Sequence, residues 1–235
     1  MKLFIGIPAY QPVYPQFFMA ILDMVRGVTG FQLGVSLGDS LVGRARNHLV
    51  ADFLDSECDT MLQIDSDILF TTKHIERITS HNEPIVGGFY PRKSDGPLAW
   101  IANGFNDGTN PPDERGLVNL MYMGTGFLCV KREVFEKMKE KWPQDNYVAD
   151  GPGKRNEHNF FPVGVVPNRC DPTGKTNRYL SEDWYFCERA LQLGYKVWGD
   201  SQVCLQHIGA AVYPLLGNKI NKQDDTKISY NIPNN

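Results

Sequence analysis

In "LQIDSDILF", residues 62–70, two carboxylates flank one serine just where an apolar run ends. Residues two apart in an extended segment point the same way, so Asp65 and Asp67 can share one hard divalent cation, with Ser66 between them. Asp-Ser-Asp also suits a turn or a helix cap, which needs no cation. A second candidate is His207 in "VCLQHIG", where Val203, Leu205 and His207 alternate onto one face and the histidine ends the apolar stripe. A strand-end histidine is more often a core or hydrogen-bonded residue than a ligand. Brought beside the aspartates it would complete a mixed oxygen and nitrogen site that suits manganese, with magnesium as the alternative. In "SEDWYF", Glu182 and Asp183 fall in the first turn of a helix, where the macrodipole favours negative charge. The same position would keep Asp183 ionised as a general base. "GRARNHLV" adds Arg44 and Arg46, two apart on a helix and so on different faces, one for solvent and one to hold a phosphate or base. Asn47 is a poor helix-interior residue and could read a ligand edge.

These residues need elements to position them. "KLFIGI" reads as a strand ended by Pro8, and "FQLGVS" alternates Phe31, Leu33 and Val35 as a second strand. "DSLVGRARNHLVADFLDSE" offers Asp39 or Ser40 as a cap, with Ala45, Leu49, Val50, Phe53 and Leu54 at helical spacing. "TMLQI" is a short buried strand that carries the aspartates at its carboxyl end. "TTKHIERITSH" is a threonine-capped helix and "PIVGGFY" another strand. Strand and helix in alternation predict a mainly parallel sheet with helices on both faces, and ligands of such sheets bind at the carboxyl ends of the strands. Farther along, "LVNLMYMGTGFLCV" reads as a strand with a glycine-broken bend, and "KREVFEKMKEKW" as a helix closed by Pro143. Residues 143–178 have no clear period and read as a long loop. "SEDWYFCERALQLG" is a helix from Ser181 to Gly194, and "YKVWGDSQVCLQHIG" supplies two short strands. A polar tail is expected over 217–235.

With 235 residues, 42% of them hydrophobic and 22% charged, the chain has the composition of one globular domain. A net charge of −3 gives no reason for general nucleic-acid or membrane-surface binding. The five cysteines form no C-x-x-C pair, so neither a zinc site nor a disulfide framework is expected, and the cytoplasm is the default compartment.

"IPAY", "RARN", "IDSDI", "GGFYPRK", "MGTGFLCVKREVFEKM", "SEDWYFCERALQLGYKVW" and "LQHIG" occur in that order, from Lys2 to about Tyr213. Together they resemble a nucleotide-sugar-dependent glycosyltransferase of the GT-A fold, close to family 2. The resemblance implies a single Rossmann-like GT-A domain over 1–216, with a nucleotide-binding half to residue 100 and an acceptor half beyond it. It implies that Pro8, Ala9 and Tyr10 line the base and ribose, with Arg44 and Asn47 nearby. Asp65 would hold ribose or a metal-bound water, Asp67 would ligate the metal on the phosphates, and His207 would be a further ligand. Arg92 or Lys93 would meet phosphates or sugar, Trp100 and Asn103 would shape the sugar pocket, and Gly124, Thr125 and Gly126 would let the backbone approach the donor. Asp183, with Glu182 beside it, would deprotonate the acceptor hydroxyl. A manganese-dependent transfer from a UDP-sugar, with inversion, is the expected activity.

The acceptor stays open between a glycan and another hydroxyl. Lys154, Arg155, His158, Arg169, Lys175 and Arg178 crowd the expected loop, which reads either as a solvated segment or as the contact for an acceptor with phosphates, such as a hydroxylated base in viral DNA. In that case the compartment would be the host cytoplasm. A nucleotidyltransferase would carry a glycine-rich basic loop after the first strand, which "GIPAYQPVYPQ" lacks. A non-catalytic nucleotide- or sugar-binding module is the alternative from another class.

Overall fold

The computed structural model describes residues 2–93, 99–104, 111–150 and 154–209, and the backbone of 212–214. The tail expected at 217–235 lies outside the described residues. The chain opens with β1 (Leu3–Ala9), α1 (Pro15–Gly27), β2 (Phe31–Leu37), α2 (Val42–Asp55) and β3 (Thr60–Ile64). Next come β4 (Ile68–Leu69), α3 (Thr72–Ser80), β5 (Ile85–Phe89), β6 (Ala102–Asn103), β7 (Leu117–Leu120), β8 (Tyr122–Met123) and β9 (Phe127–Lys131). The remainder holds α4 (Arg132–Lys141), β10 (Asn146–Val148), β11 (Asn156–His158), β12 (Gly164–Pro167), β13 (Asn177–Leu180), α5 (Glu182–Gln192), β14 (Val197–Cys204), β15 (Gln206–Ile208) and β16 (Val212–Pro214).

Seven strands form one mixed sheet in the order β2-β1-β3-β9-β5-β14-β7. β2, β1, β3, β5 and β14 share one direction, while β9 runs against both β3 and β5, and β7 against β14. The fold is therefore α/β, mainly parallel and Rossmann-like. Strand alternation divides the core in two. Leu3, Ile5 and Ile7 of β1 and Leu62 and Ile64 of β3 face α1 and α3, whose Phe17, Met24, Ile75 and Ile78 cover them. Phe4 and Met61 face the other way, toward Leu49, Val50 and Phe53 of α2, Phe135 of α4 and Phe186 of α5. Sheets buried on both faces read as near-continuous apolar runs, as in "LFIGIPA".

Local sequence accounts for several ends. Thr71 caps α3, and His74 closes the capping box by accepting from the Thr71 N–H at 3.2 Å through Nδ1, a role more often taken by Glu or Gln. Gly194 follows α5 with φ +84°, a conformation glycine adopts without a Cβ penalty. Arg132 donates to the carbonyls of Phe53, Leu54, Ser56 and Cys58, which satisfies the orphan end of α2.

Four expectations change. Neither Asp39 nor Ser40 is the N-cap of α2: Leu41 holds that place, and its N–H donates to Asp39 Oδ1 at 2.9 Å. Pro8 does not end β1, which continues to Ala9 with Pro8 opposite Ser36. "LVNLMYMGTGFLCV" is three strands, and the last of them, β9, inserts antiparallel in the middle of the sheet. Residues 143–178, expected as a loop, hold a 3-10 turn (Pro143–Asp145) and two antiparallel pairs, β10–β11 and β12–β13.

Candidate active site

The site forms where β3 stops. The Asp65 N–H donates to Gly126 O at 3.0 Å, and the Ile68 N–H returns to Asp65 O at 3.0 Å, so residues 65–68 make a tight turn at the strand tip. β4 then pairs with β15, with Ile68 opposite His207, and the Ile208 N–H donates to Asp67 O at 2.7 Å. This pairing sets the His207 ring beside the Asp67 carboxylate, although 140 positions separate them in sequence.

The two aspartates have different surroundings. Asp65 Oδ1 lies 2.9 Å from Arg46 Nη2, and Arg46 Nη1 donates to Gln63 Oε1 at 3.1 Å. Burial raises the Asp65 carboxyl above its ordinary value, Arg46 opposes that shift, and the charge of Asp67 adds to it. Asp67 faces outward to two cationic or polar partners. Lys93 Nζ is 2.5 Å from Oδ2, and His207 Nε2 is 3.5 Å from Oδ1. Burial pushes this carboxyl up, but the contacts with His207 and Lys93 outweigh it and leave the group below the ordinary carboxylate range.

His207 Nδ1 lies 2.8 Å from Pro91 O. A carbonyl only accepts, so Nδ1 carries a proton, and Nε2 is the nitrogen turned to Asp67. A carboxylate oxygen and an imidazole nitrogen are both atoms that a divalent cation accepts as ligands, so the pair can hold one between them. A backbone carbonyl on the far nitrogen is also how metal-ligating histidines are oriented. Among the described residues no three His, Cys, Asp or Glu side chains converge as a ready-made cluster. Asp67 and His207 fit a divalent cation as a pair, and Asp65 is held by Arg46.

Across from the turn stands the amino end of α5. Ser181 is the N-cap residue, but its hydroxyl donates to Asp183 Oδ1 instead of capping the backbone. The Trp184 N–H also donates to Asp183 Oδ1, at 2.8 Å. Both donors meet the same oxygen, Oδ1, and so fix the orientation of the carboxylate at the helix end. Burial raises the neighbouring Glu182 carboxyl, Asp183 and Asp65 add to the rise, and Arg46 counters it. The charges of α5 and of the β3 tip therefore act on one another.

Tyr90 forms the floor. Its hydroxyl accepts from the Gly126 N–H at 2.8 Å and its ring stands edge-on to His207 at 5.4 Å. A Cβ on Gly124 would come within 2.3 Å of Tyr90 Oη, and one on Gly126 within 2.7 Å. Close packing on Tyr90 thus explains both glycines before any ligand is considered. Between them Thr125 is buried, and among the described residues its hydroxyl has no partner.

No family model matches the chain, and no curated protein matches it in sequence. Among solved structures, the crystal structure of A197 from STIV aligns over 96% of this chain and 100% of that one, with TM-score 0.56 and 14% identity. That likeness shows a shared fold. A CMP:2-keto-3-deoxy-manno-octonic acid synthetase complexed with CTP aligns over 85% of this chain and 89% of its own, with TM-score 0.43 and 10% identity. A glycosyltransferase involved in glycosylation of the major capsid of PBCV-1 aligns over 61% and 66%, with TM-score 0.36 and 13% identity. Those two are too distant in shape to carry an argument.

The other expected residues are placed as follows. Pro8 and Ala9 are buried within β1, and Tyr10 is exposed just beyond its end. Arg44 points to solvent and makes two 2.8 Å contacts with Asp39. Asn47 is buried, and its Oδ1 accepts from the N–H groups of Phe160 and Phe161 at 2.9 and 3.2 Å. Its amide thereby secures the segment after β11. Ser66 is half-buried in the turn, Arg92 is exposed, and Trp100 packs against Phe89 with ring centroids 5.7 Å apart. Asn103 stands beside Arg178. The site residue that sequence reasoning left unassigned is Arg46, buried at 2% exposure. Its signal was present: Arg46, Leu49, Val50 and Phe53 follow i, i+3, i+4, i+7, which puts the guanidinium on the apolar stripe of α2.

Proposed function

We propose that the chain transfers a sugar from a nucleoside-diphosphate sugar, a UDP-sugar by preference, to an acceptor hydroxyl with inversion. The observation that carries this reading is the Asp67–His207 pair, a carboxylate oxygen and an imidazole nitrogen 3.5 Å apart at a strand tip, opposite a carboxylate at a helix amino end. Asp67 and His207 would hold manganese or magnesium, which as a Lewis acid offsets the charge that grows on the departing diphosphate. Lys93, already on Asp67, supplies a second positive group for the same phosphates. Asp183 is the base for the acceptor hydroxyl. A positioned carboxylate of this kind contributes about 10²–10⁴-fold to rate. A base on one side of the sugar and the leaving group on the other give inversion at the anomeric carbon.

The test is thermal stability with UDP, GDP, CDP and ADP, each with and without manganese. A ligand at about 100 times its Kd adds roughly 2.7 kcal/mol. In a chain of 235 residues that raises Tm by about 5–10 °C. The expected result is a shift with one nucleotide, largest with manganese and lost in Asp67→Ala. Asp183→Asn should keep that shift while sugar transfer falls by about 10²-fold or more. No shift with any nucleotide refutes the donor reading, and a shift with full turnover in Asp183→Asn refutes the base.

A further inference from the structure

Among the described residues β2 is an edge of the seven-stranded sheet, bonded to β1 alone. Edge strands in soluble proteins are usually kept from pairing by lysine, proline, a bulge or short length. β2 has none of these protections: its seven residues, "FQLGVSL", carry no charge and no proline. The opposite edge, β7, is four residues long, and its Leu117, Val118 and Leu120 are buried.

The register places Leu33, Val35 and Leu37 on the face that carries Ile5, Ile7 and Ala9. α1 covers that face over β1 and stops short of β2, so Leu33, Val35 and Leu37 stay 44%, 47% and 78% exposed. Thr72 of α3 abuts Gly27 and the Asp23 carbonyl on one flank of α1. Tyr14 is the residue just before α1, and at 100° per residue Phe18 and Val25 lie on the other flank of the helix, toward β2. They are 37%, 53% and 53% exposed. These six side chains expose on the order of 600 Å² of apolar surface, at the top of the range for patches on monomers. With the backbone edge of β2 added, the face approaches the roughly 800 Å² per partner of a standard interface.

We infer that two copies of the chain pair through β2. An antiparallel strand pair is complementary to itself under a twofold axis, so one free edge satisfies another. A register centred on Gly34 sets Leu33 of each copy opposite Val35 of the other and brings the two α1 stripes together on one face. The result is a continuous fourteen-stranded sheet whose orphan N–H and C=O groups are satisfied. A lipid surface would cover the apolar side chains but leave that backbone edge unbonded. Nor does α1 offer a basic cluster: its charged residues are Asp23 and Arg26.

Sedimentation velocity of the full chain, over about 1–100 µM, tests the pairing across the Kd range of transient to stable dimers. The expected species has twice the 26.6 kDa mass. Val35→Lys puts two ammonium groups beside the axis and should weaken the dimer about a hundredfold or more. Phe18→Ser should weaken it too, through the helix stripe. Both positions are exposed and lie outside the active site, so Tm at low concentration and the nucleotide-dependent shift should match the parent. A monomer at every concentration overturns the pairing, as does a dimer that Val35→Lys leaves intact. A monomer that floats with neutral or anionic vesicles would assign the face to a membrane instead.

Discussion

Replacing Arg46 with methionine isolates the contact that holds the site together from below. Methionine keeps the apolar part of the side chain and removes the guanidinium that meets Asp65 at 2.9 Å and Gln63 at 3.1 Å. Breaking a buried ion pair by deleting one partner costs about 3–5 kcal/mol, because the remaining charge is left without compensation. The Asp65 side chain is 26% exposed, and water screens part of that charge. A cost of about 2–3 kcal/mol is therefore expected. For a chain of this length the fall in Tm is about 5–10 °C.

The pH dependence gives the sharper readout. The Asp65 carboxyl is already raised above 3.8 in the folded protein, mainly by burial. A raised carboxyl binds its proton more tightly in the folded state, so its contribution is fully present below 3.8 and is lost as pH rises through the folded value. Without Arg46 the folded value climbs further, and this loss becomes deeper. The Tm deficit of Arg46→Met should therefore be small near pH 4 and grow toward neutrality, within the window set by the Asp65 shift. Asp65→Asn added to Arg46→Met removes the stranded charge and should recover most of the deficit at neutral pH. Differential scanning calorimetry across that range checks both statements. A deficit independent of pH, or a double variant no more stable than the single, would refute the assignment of the cost to Asp65.

Two packing predictions follow from the same region. Gly124→Ala should cost about 1–3 kcal/mol by overpacking against Tyr90, and Tyr90→Phe in the same chain should relieve part of it; urea denaturation of both variants checks the pair. Asn47→Ala removes the acceptor from two backbone N–H groups and should cost about 2–4 kcal/mol, while nucleotide affinity of the folded variant stays unchanged. A change in affinity without a change in stability would return Asn47 to the donor site.

Periodic segments were legible and partnerships were not. β1, β2, α2 and β3 follow from apolar spacing, because strands and an amphipathic helix each impose their own period, whereas α1, which lies between β1 and β2, escaped notice. The aspartates were found for a related reason: the end of an apolar run marks a strand tip, and strand tips are where open sheets bind. The place of β9 could not be read this way, since order along the chain does not state order across the sheet. β10 and β12 escaped notice because both lie on the surface, with exposure alternating too weakly over three or four residues to stand out from a loop. Arg46 shows the intermediate case. Its position on the apolar stripe could be read, but the carboxylate that makes burial tolerable lies nineteen residues away on another element.

The same distinction decides how the positive charge of residues 154–178 should be read. Six basic side chains in one segment suggest a surface for phosphates only if their charge is unopposed. Arg155 contacts Asp52 and Glu157 at 2.6 and 3.0 Å, and Arg169 meets Glu188 at 2.7 Å. His158 is buried, and that burial lowers its pKa to about 4, so it is neutral at physiological pH. The Arg178 guanidinium lies 4.7 Å from the centre of the Trp184 ring, beside the residues that head α5. Lys154 and Lys175 are the two of the six without an ionic or ring partner among the described residues. Most of this charge fastens the two hairpins to α2 and α5. A field strong enough to hold a nucleic-acid backbone needs several free cations in a row, and this segment presents two exposed lysines on different hairpins.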